Sequence, residues 1–489
     1  MSHRYTRVSS LNTPEKFRGH LRELGLALDF DNEMETGTDS PFARSLEIGG
    51  RRIGNRFCVL PMEGWDGTED GRPSPLTRRR WENFGRSGAK LVWGGEAVAV
   101  RQDGRANPNQ LLINESNLKS LENLRLHLVS THEREFGTSR DLLVGLQVTH
   151  SGRFSRPTDK ATLEPRILYH HPVLDPRFGI PPDYPCLTDS EIEELTEDFV
   201  VAAARAWKIG FHFVDLKHCH GYLGNELLSA RTRSGLYGGS FQNRTRFLRN
   251  VISGIRSVAP ELHIGIRLNV FDMRPFEKDS DGVGVPIEEK APSFFAQVAS
   301  GDAGEISNSP GLDDPGVRET VRLLRLLRNQ GIQLICLSGG SPYYNPHILR
   351  PALFPPSDGY QPPEDPLVGV ARHIRFTRFI KAAFPDLFVV GSGYSYLQEW
   401  LPHVAHRQLR EKAVDFVGLG RMMLAYPQFP AHVLAGQPLD RKSLCRTFSD
   451  CTTGPRQGLV SGCFPLDAFY RDLPQGEELR KIKRKRRGF

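Results

Sequence analysis

A chain of 489 residues with 38% AVILMFWYC, 47 glycines, 25% charged and 9% aromatic residues has the composition of a folded globular protein, which excludes a disordered or fibrous one. Its length suits two to three domains, or one α/β barrel with additions. Lys and Arg (64) against Asp and Glu (57) leave a formal charge of +7, but the last ten residues, RKIKRKRRGF, hold seven of those bases and no acid. The body is therefore close to neutral, nucleic-acid binding is not expected, and the tail reads as a solvated, disordered end. No apolar run approaches the ~20 residues of a membrane span. The opening MSHRYTRVSSLNTPEKFRGHL lacks the apolar core of a secretory signal. Seven scattered cysteines do not make a disulfide framework, so the expected location is the cytoplasm.

In chain order, Thr13-Pro14-Glu15 begins a helix, with Thr13 as cap and proline in the first turn. Eight short apolar segments follow: FCVLPM (57–62), KLVWGGEA (90–97), LLVGLQVTH (142–150), FHFVDLKHC (211–219), HIGIRLNV (263–270), IQLICLSGG (332–340), LFVVGSGYS (387–395) and DFVGLGRMM (415–423). They are continuous rather than alternating, as in strands buried on both faces of a parallel sheet. Amphipathic stretches separate them. Residues 187–210 have Asp189 as the expected cap, residues 243–259 follow a Ser240 cap, and residues 315–330 end at Gly331. Eight strands alternating with helices is the count of an α/β fold of (β/α)8 TIM-barrel type, although the count alone does not separate a closed barrel from an open doubly wound sheet. The expected organisation is a helical N-terminal extension (1–40), the barrel (41–435) and an irregular C-terminal extension (436–489). The polar, glycine-rich segment 271–314 and the proline-dense segment 341–366 are too long for ordinary connections and are expected at the barrel mouth. There is no GxGxxG and no further strand–helix pair after about residue 425, so no second nucleotide-binding domain is expected.

Barrel chemistry sits at the C-terminal strand ends, and the polar residues there are dense: Glu63, Glu96, Gln147, His150, Lys217, His218, His220, Tyr222, Arg267, Ser338 and Arg421. Alternation places Asp215 and Lys217 on one side of their strand and His218 on the other. Asp215, His218 and His220 are metal-ligand types, but no spaced third ligand accompanies the histidine pair. Lys217 alone also admits a Schiff-base lyase. His150 before Ser151-Gly152-Arg153 reads as a phosphate or substrate contact. Gly391-Ser392-Gly393 and Gly418-Leu419-Gly420-Arg421 close the seventh and eighth strands, where glycine lets backbone N–H groups approach a phosphate and Arg421 supplies countercharge.

Several segments in order, Asn55-Arg56-Phe57 with Leu60-Pro61-Met62, Gly95-Glu96-Ala97, residues 146–153 (LQVTHSGR), residues 220–248 (HGYLGNELLSARTRSGLYGGSFQNRTRFL), Arg267 in GIRLNV and VDFVGLGRMMLAYP (414–427), resemble the old yellow enzyme family of FMN-dependent oxidoreductases, including its dienoyl-CoA-reductase and amine-dehydrogenase branches. The resemblance covers about residues 40–430. It implies FMN at the barrel mouth, with Pro61, Met62, Glu63, Ala97 and Gln147 at the ring, Arg267 at its electron-accepting edge, and Gly393, Gly420 and Arg421 at the phosphate. It implies NAD(P)H as donor and a small-molecule substrate, with Tyr222 as proton donor and Lys217 and His220 at the substrate carbonyl. A homo-oligomer is compatible with it.

Three departures stand out. Lys217 occupies the first position of the family's substrate-binding pair, usually histidine. Glu63 stands where threonine or cysteine is usual, and is expected to pair with Lys217. Cys445, Cys451 and Cys463 fall where larger members bind an iron–sulfur cluster, but Arg446-Thr447-Phe448 fills the stretch of a further cysteine. A 4Fe–4S cluster wants four thiolates, so none is expected, and the remnant points to a larger ancestor whose C-terminal domains are missing. The resulting reading is NAD(P)H-linked reduction of an activated C=C bond. The alternatives are FMN-dependent oxidation of a small amine, the Lys217 lyase, and a non-catalytic flavin-binding protein.

Overall fold

In the computed structural model, which describes residues 5–287, 296–297 and 315–486, eight parallel strands close on themselves. They are β1 (Phe57–Val59), β2 (Leu91–Val92), β3 (Leu143–Thr149), β4 (Phe213–His218), β5 (His263–Asp272), β6 (Leu334–Gly339), β7 (Phe388–Gly391) and β8 (Phe416–Leu419). Each pairs with the next, and β8 returns to β1 through Val417–Phe57 and Leu419–Val59. Closure excludes the open doubly wound sheet. Helices follow the strands: α1 (Pro75–Gly85), α2 (Leu118–Phe136), α3 (Asp189–Lys208), α4 (Arg246–Val258), α5 (Pro315–Asn329), α6 (Pro366–Ala383), α7 (Leu401–Arg410) and α8 (Phe429–Leu434).

The barrel interior is one apolar cluster that includes Cys58, Leu91, Trp93, Phe213, Cys336 and Phe416. Gly145 is required there, because a Cβ would meet the Phe213 ring at 2.3 Å. Ile48 and Ile53, from the antiparallel hairpin of Leu46–Ile48 and Arg51–Ile53, belong to the same cluster. Outside, α3 buries Ile192, Leu195 and Phe199 and α4 buries Phe247, Val251 and Ile255, with Phe199 edge-on to Phe247 at 5.3 Å. Each such side chain contributes about 1.5–3 kcal/mol relative to exposure.

Local chemistry explains where elements differ from expectation. The cap of α3 is Thr188, in a capping box with Glu191, and Asp189 is the first helical residue. Ser240 caps a short turn, Phe241–Arg244, before α4 begins at Arg246. The predicted strand 90–97 divides after Val92. Gly94 and Gly95 take φ of +144° and +53°, breaking the ladder before Ala97–Ala99 rejoins β3.

Both extensions are tied to the barrel. Thr13 caps Pro14–Glu23 as expected, Phe17 stacks on Trp400 at 4.7 Å, and Asp31 bonds His406 and Arg410. The C-terminal part carries three helices, Asp450–Arg456, Ala468–Arg471 and Pro474–Arg486, joined by irregular stretches. The basic end is helical through Arg486 rather than a disordered tail, because Leu479 is buried beside Phe464 and Tyr470 and Lys483 pairs with Asp450 at 2.7 Å. No helix among the described residues is long and apolar enough to cross a membrane. Of the segment 271–314, residues 288–295 and 298–314 lie outside the described residues. Its first part forms an antiparallel pair, Phe276–Lys278 with Gly284–Pro286, whose Lys278 reaches the mouth.

Candidate active site

A cavity of about 690 Å³ opens at the C-terminal ends of the strands, within the size range of a cofactor site. The chain leaving β1 contributes Pro61, Met62 and Glu63, and β3 contributes Gln147. The β4 end contributes Lys217, His220 and Tyr222, β5 contributes Arg267, and β7 and β8 contribute Gly393, Gly420 and Arg421. Elements far apart in sequence thus converge because parallel strands all end on one face. Ala97 does not reach this wall. It is buried, and its carbonyl accepts the Gln110 side-chain amide at 2.6 Å.

Asp215 organises one side. Its carboxylate accepts Gln147 Nε2 at 2.5 Å and the Arg267 backbone N–H at 2.7 Å. Burial pushes its pKa up to about 6 against those hydrogen bonds and Arg267. Arg267 Nη1 donates to the Pro61 carbonyl at 3.3 Å, and its buried Nε has no partner.

The other side is built around Tyr222. Its hydroxyl donates to Glu63 Oε2 at 2.6 Å and lies 3.0 Å from the Tyr343 hydroxyl. Trp65 Nε1 donates to Glu63 Oε1 at 3.2 Å. The expected Glu63–Lys217 ion pair is not formed, because Tyr222 takes the carboxylate. The Lys217 ammonium instead sits 3.5 Å from the Tyr222 ring centroid. Burial lowers the Lys217 pKa to about 8, with Glu63 opposing through space. Burial and then Glu63 hold the Tyr222 phenol well above its ordinary range. His220, two residues beyond β4, takes φ +68°, a conformation rare outside glycine, and its Nε2 lies 2.8 Å from Ser338 Oγ. Burial, with Arg267 and Lys217 adding, pushes its pKa well down, so it is a neutral hydrogen-bonding group.

Tyr343 escaped the sequence reading. Its one signal was an aromatic pair, Tyr343-Tyr344, in the proline-dense segment, and only packing shows that it stacks on Phe154 at 3.9 Å and reaches Tyr222. Arg80 also escaped notice. It is a buried guanidinium binding both Asp66 and Glu96. Glu96 Oε2 accepts the Gly64 N–H at 2.9 Å, so this strand-end carboxylate holds the turn beside Glu63. His150 and Arg153 do not line the cavity. His150 Nδ1 accepts the Gly152 N–H, and Arg153 is locked to Glu226 and Asp175. His218 lies on the side of its strand opposite Lys217, as alternation predicts, and packs against Phe247. Among the described residues no three His, Cys, Asp or Glu side chains are placed to hold a metal ion, Asp215, His218 and His220 included. Cys445 and Cys463 are buried free thiols and Cys451 lies at the cavity wall.

The residues present fit FMN. At the β7–β8 end a Cβ on Gly420 would meet nothing closer than the Met62 sulfur at 3.8 Å, which leaves an open backbone cradle, and Gly393 takes φ +91°. Arg421 Nη2 donates to the Pro351 carbonyl at 2.9 Å while its buried Nη1 has no partner. Unpaired buried donors at Arg421 and Arg267 mark places for an anion and for a polar ring edge.

A closed parallel barrel with this mouth is the architecture of a barrel flavoenzyme. Residues 43–293 match the model of the "NADH:flavin oxidoreductase / NADH oxidase family". The chain is 30% identical over 408 residues to an NADPH dehydrogenase of Geobacillus sp. (strain WCH70), covering 81% of this chain and 93% of the relative. Its fold is similar to a 2-naphthoyl-CoA reductase complex (TM-score 0.62, 17% identity, 90% of this chain and 58% of that one). It is also similar to an old yellow enzyme homologue from Zymomonas mobilis (TM-score 0.54, 17% identity, 81% of this chain and 93% of that one). The chain belongs to the NADH:flavin oxidoreductase / NADH oxidase family: it is an FMN-dependent oxidoreductase that uses a nicotinamide donor. The lyase and the non-catalytic readings end there.

Proposed function

We propose that the protein reduces the C=C bond of an alkene conjugated to a carbonyl, with Tyr222 delivering the proton. The observation that carries this is the Tyr222 hydroxyl, held by Glu63 and Tyr343 on the cavity wall beside Lys217 and His220. FMN, when bound, supplies the hydride it has accepted from NAD(P)H. Pro61, Met62, Glu63 and Gln147 line its ring site, Arg267 places positive charge there, and Gly393, Gly420 and Arg421 receive its phosphate. Lys217 and His220 hydrogen-bond the substrate carbonyl, which pulls electron density from the β-carbon. Tyr222 stays protonated through the ordinary pH range and surrenders its proton only as negative charge develops on the α-carbon. Glu63 and Tyr343 fix the phenol's position. The test is anaerobic: NADPH or NADH bleaches the flavin absorbance, and an added enone restores it with formation of the saturated ketone. Bleaching without restoration by any enone or nitroalkene rejects the reading.

The direction of one bond favours a second reading. The Tyr222 proton already points at a carboxylate, as in a base pair that takes a proton from a donor being oxidised. A small amine that bleaches the flavin without NAD(P)H supports it, and an inert amine panel removes it.

Lys217 sets a pH limit. Burial brings its pKa to about 8, so the ammonium gives way to the amine, and carbonyl polarisation is lost, as pH rises through that value. The expected rate of alkene reduction is flat below about pH 7 and falls about tenfold per unit well above pH 8. Lys217→Arg, charged throughout, is expected to abolish that fall. An unchanged alkaline limb in the variant assigns it elsewhere. At the other end of the cavity, Arg421→Ala is expected to weaken FMN binding about ten- to a hundred-fold, the loss of one charge-assisted contact. Riboflavin, which lacks the phosphate, is expected to lose little, and equal losses for both flavins in fluorescence titrations refute the assignment.

A further inference from the structure

The loops above the strands bring more positive charge to the cavity than one phosphate accounts for. Arg156, Lys160, Arg177, Lys278, Arg350 and Arg456 all line it. Among the described residues, Arg456 alone of these has a carboxylate partner, Asp358 at 2.7 Å. Three of the others are held by neutral oxygens: Arg177 donates to the Phe276 carbonyl at 2.7 Å, Lys160 to the Gly458 carbonyl at 2.9 Å, and Arg350 to the Thr452 hydroxyl. Arg156 Nε and Arg350 Nη2 are buried without partners.

The guanidinium groups also press on one another. Burial with the repulsion of Arg456 and Arg421 lowers the Arg350 pKa to about 10, and Arg456 likewise bears on Arg177. Like charges gathered on one wall cost free energy unless an anion joins them. Arg350 lies next to Arg421 and can share the FMN phosphate. Arg156 and Arg456 belong to the other side, around Tyr343. The Arg156 guanidinium carbon is 5.8 Å from the Tyr343 ring centroid, and Arg456 donates to the carbonyl of Pro342, next in chain, at 2.5 Å. Tyr343 in turn is 3.0 Å from the Tyr222 hydroxyl. An anion held at Arg156 and Arg456 is therefore within one small molecule's length of the proton donor.

We propose that the substrate carries a carboxylate, bound by Arg156 and Arg456 while its double bond lies beside Tyr222. This rests on the alkene-reduction reading, so the test separates binding from turnover. The binding arm titrates FMN-loaded enzyme with 4-formylbenzoate and 4-formylbenzamide, which have no reducible C=C bond, and follows the flavin spectrum. The acid is expected to bind about ten- to a hundred-fold more tightly, with the preference shrinking as salt rises. Arg156→Gln and Arg456→Gln are expected to bring the ratio close to one. Equal affinities of acid and amide for the wild-type enzyme overturn the proposal without recourse to any variant. It is also overturned if the ratio is one and the variants raise KM for NADPH but not NADH, since the subsite then serves the donor's 2′-phosphate. The turnover arm compares 4-carboxycinnamaldehyde with its carboxamide. Preference for the acid in kcat/KM extends the binding result. Tight acid binding with neither cinnamaldehyde reduced upholds the carboxylate subsite and rejects alkene reduction.

Discussion

Tyr222→Phe is expected to slow reduction of an enone by about ten- to ten-thousand-fold, the range of a positioned general acid, while the rate at which NADPH bleaches the flavin stays within a few-fold of wild type. The asymmetry follows from the role proposed for the hydroxyl. In that reading it is needed when the α-carbon takes a proton, and hydride transfer from the nicotinamide needs none. Phenylalanine keeps the ring that Lys217 covers and that lies edge-on to Phe154 and Tyr343, so packing is retained. The substitution also frees Glu63 from its 2.6 Å bond and draws Lys217 toward that carboxylate. Stopped-flow measurement of the two half-reactions separates these effects. A variant that reduces a proton-requiring alkene at the wild-type rate removes Tyr222 as the donor.

The largest stability effect is expected from Arg80, which the chemistry does not touch. Arg80, Asp66 and Glu96 are almost fully buried, with Nε to Glu96 Oε1 at 3.1 Å and Nη2 to Asp66 Oδ1 at 2.9 Å among their contacts. Removing one member of such a group strands the others, at a cost of about 3–5 kcal/mol. Arg80→Met is therefore expected to lower the urea midpoint markedly at pH 8. Burial, with Arg80 opposing, already holds the Glu96 carboxyl above its ordinary range. The folded protein then binds a proton that the unfolded chain has released, so this contribution favours the fold at low pH and fades as pH rises through the folded pKa. Without Arg80 the window widens upward. The variant should lose less relative to wild type at pH 5 than at pH 8. A uniform loss across pH, or none, refutes the argument. Because Glu96 also receives the Gly64 N–H, the same substitution loosens the turn presenting Glu63.

The eight strands were legible because a strand buried on both faces must be apolar throughout, and segments such as LLVGLQVTH announce this locally. Strand ends were legible as well, since polar residues after an apolar run have to emerge at the barrel mouth. That Lys217 and His218 take opposite sides of their strand followed from alternation alone, and the structure turns Lys217 to the cavity and His218 to Phe247. What failed was pairing. Glu63 and Lys217 are opposite charges from neighbouring parts of one wall, yet the phenol between them takes the carboxylate. His150 resembled a ligand contact by composition, but its Nδ1 accepts from the backbone of its own turn and its Nε2 faces Asp103 at 3.6 Å. Tyr343 and Arg156 come from loops whose course no periodicity encodes.

By itself, then, the sequence determined the eight strands alternating with helices and the family, because apolar patterning and ordered motifs are local properties that survive being read one residue at a time; the return of β8 to β1 that closes the barrel is tertiary. Only the tertiary structure decided which proton points at which acceptor, which buried charge holds the Glu63 turn, and that Arg156 and Arg456 from separate loops flank Tyr343 beside Tyr222. Those are relations between segments apart in sequence, by 32 residues for Gly64 and Glu96 and by 159 for Glu63 and Tyr222, set by how competing donors, acceptors and rings share one volume that excludes water.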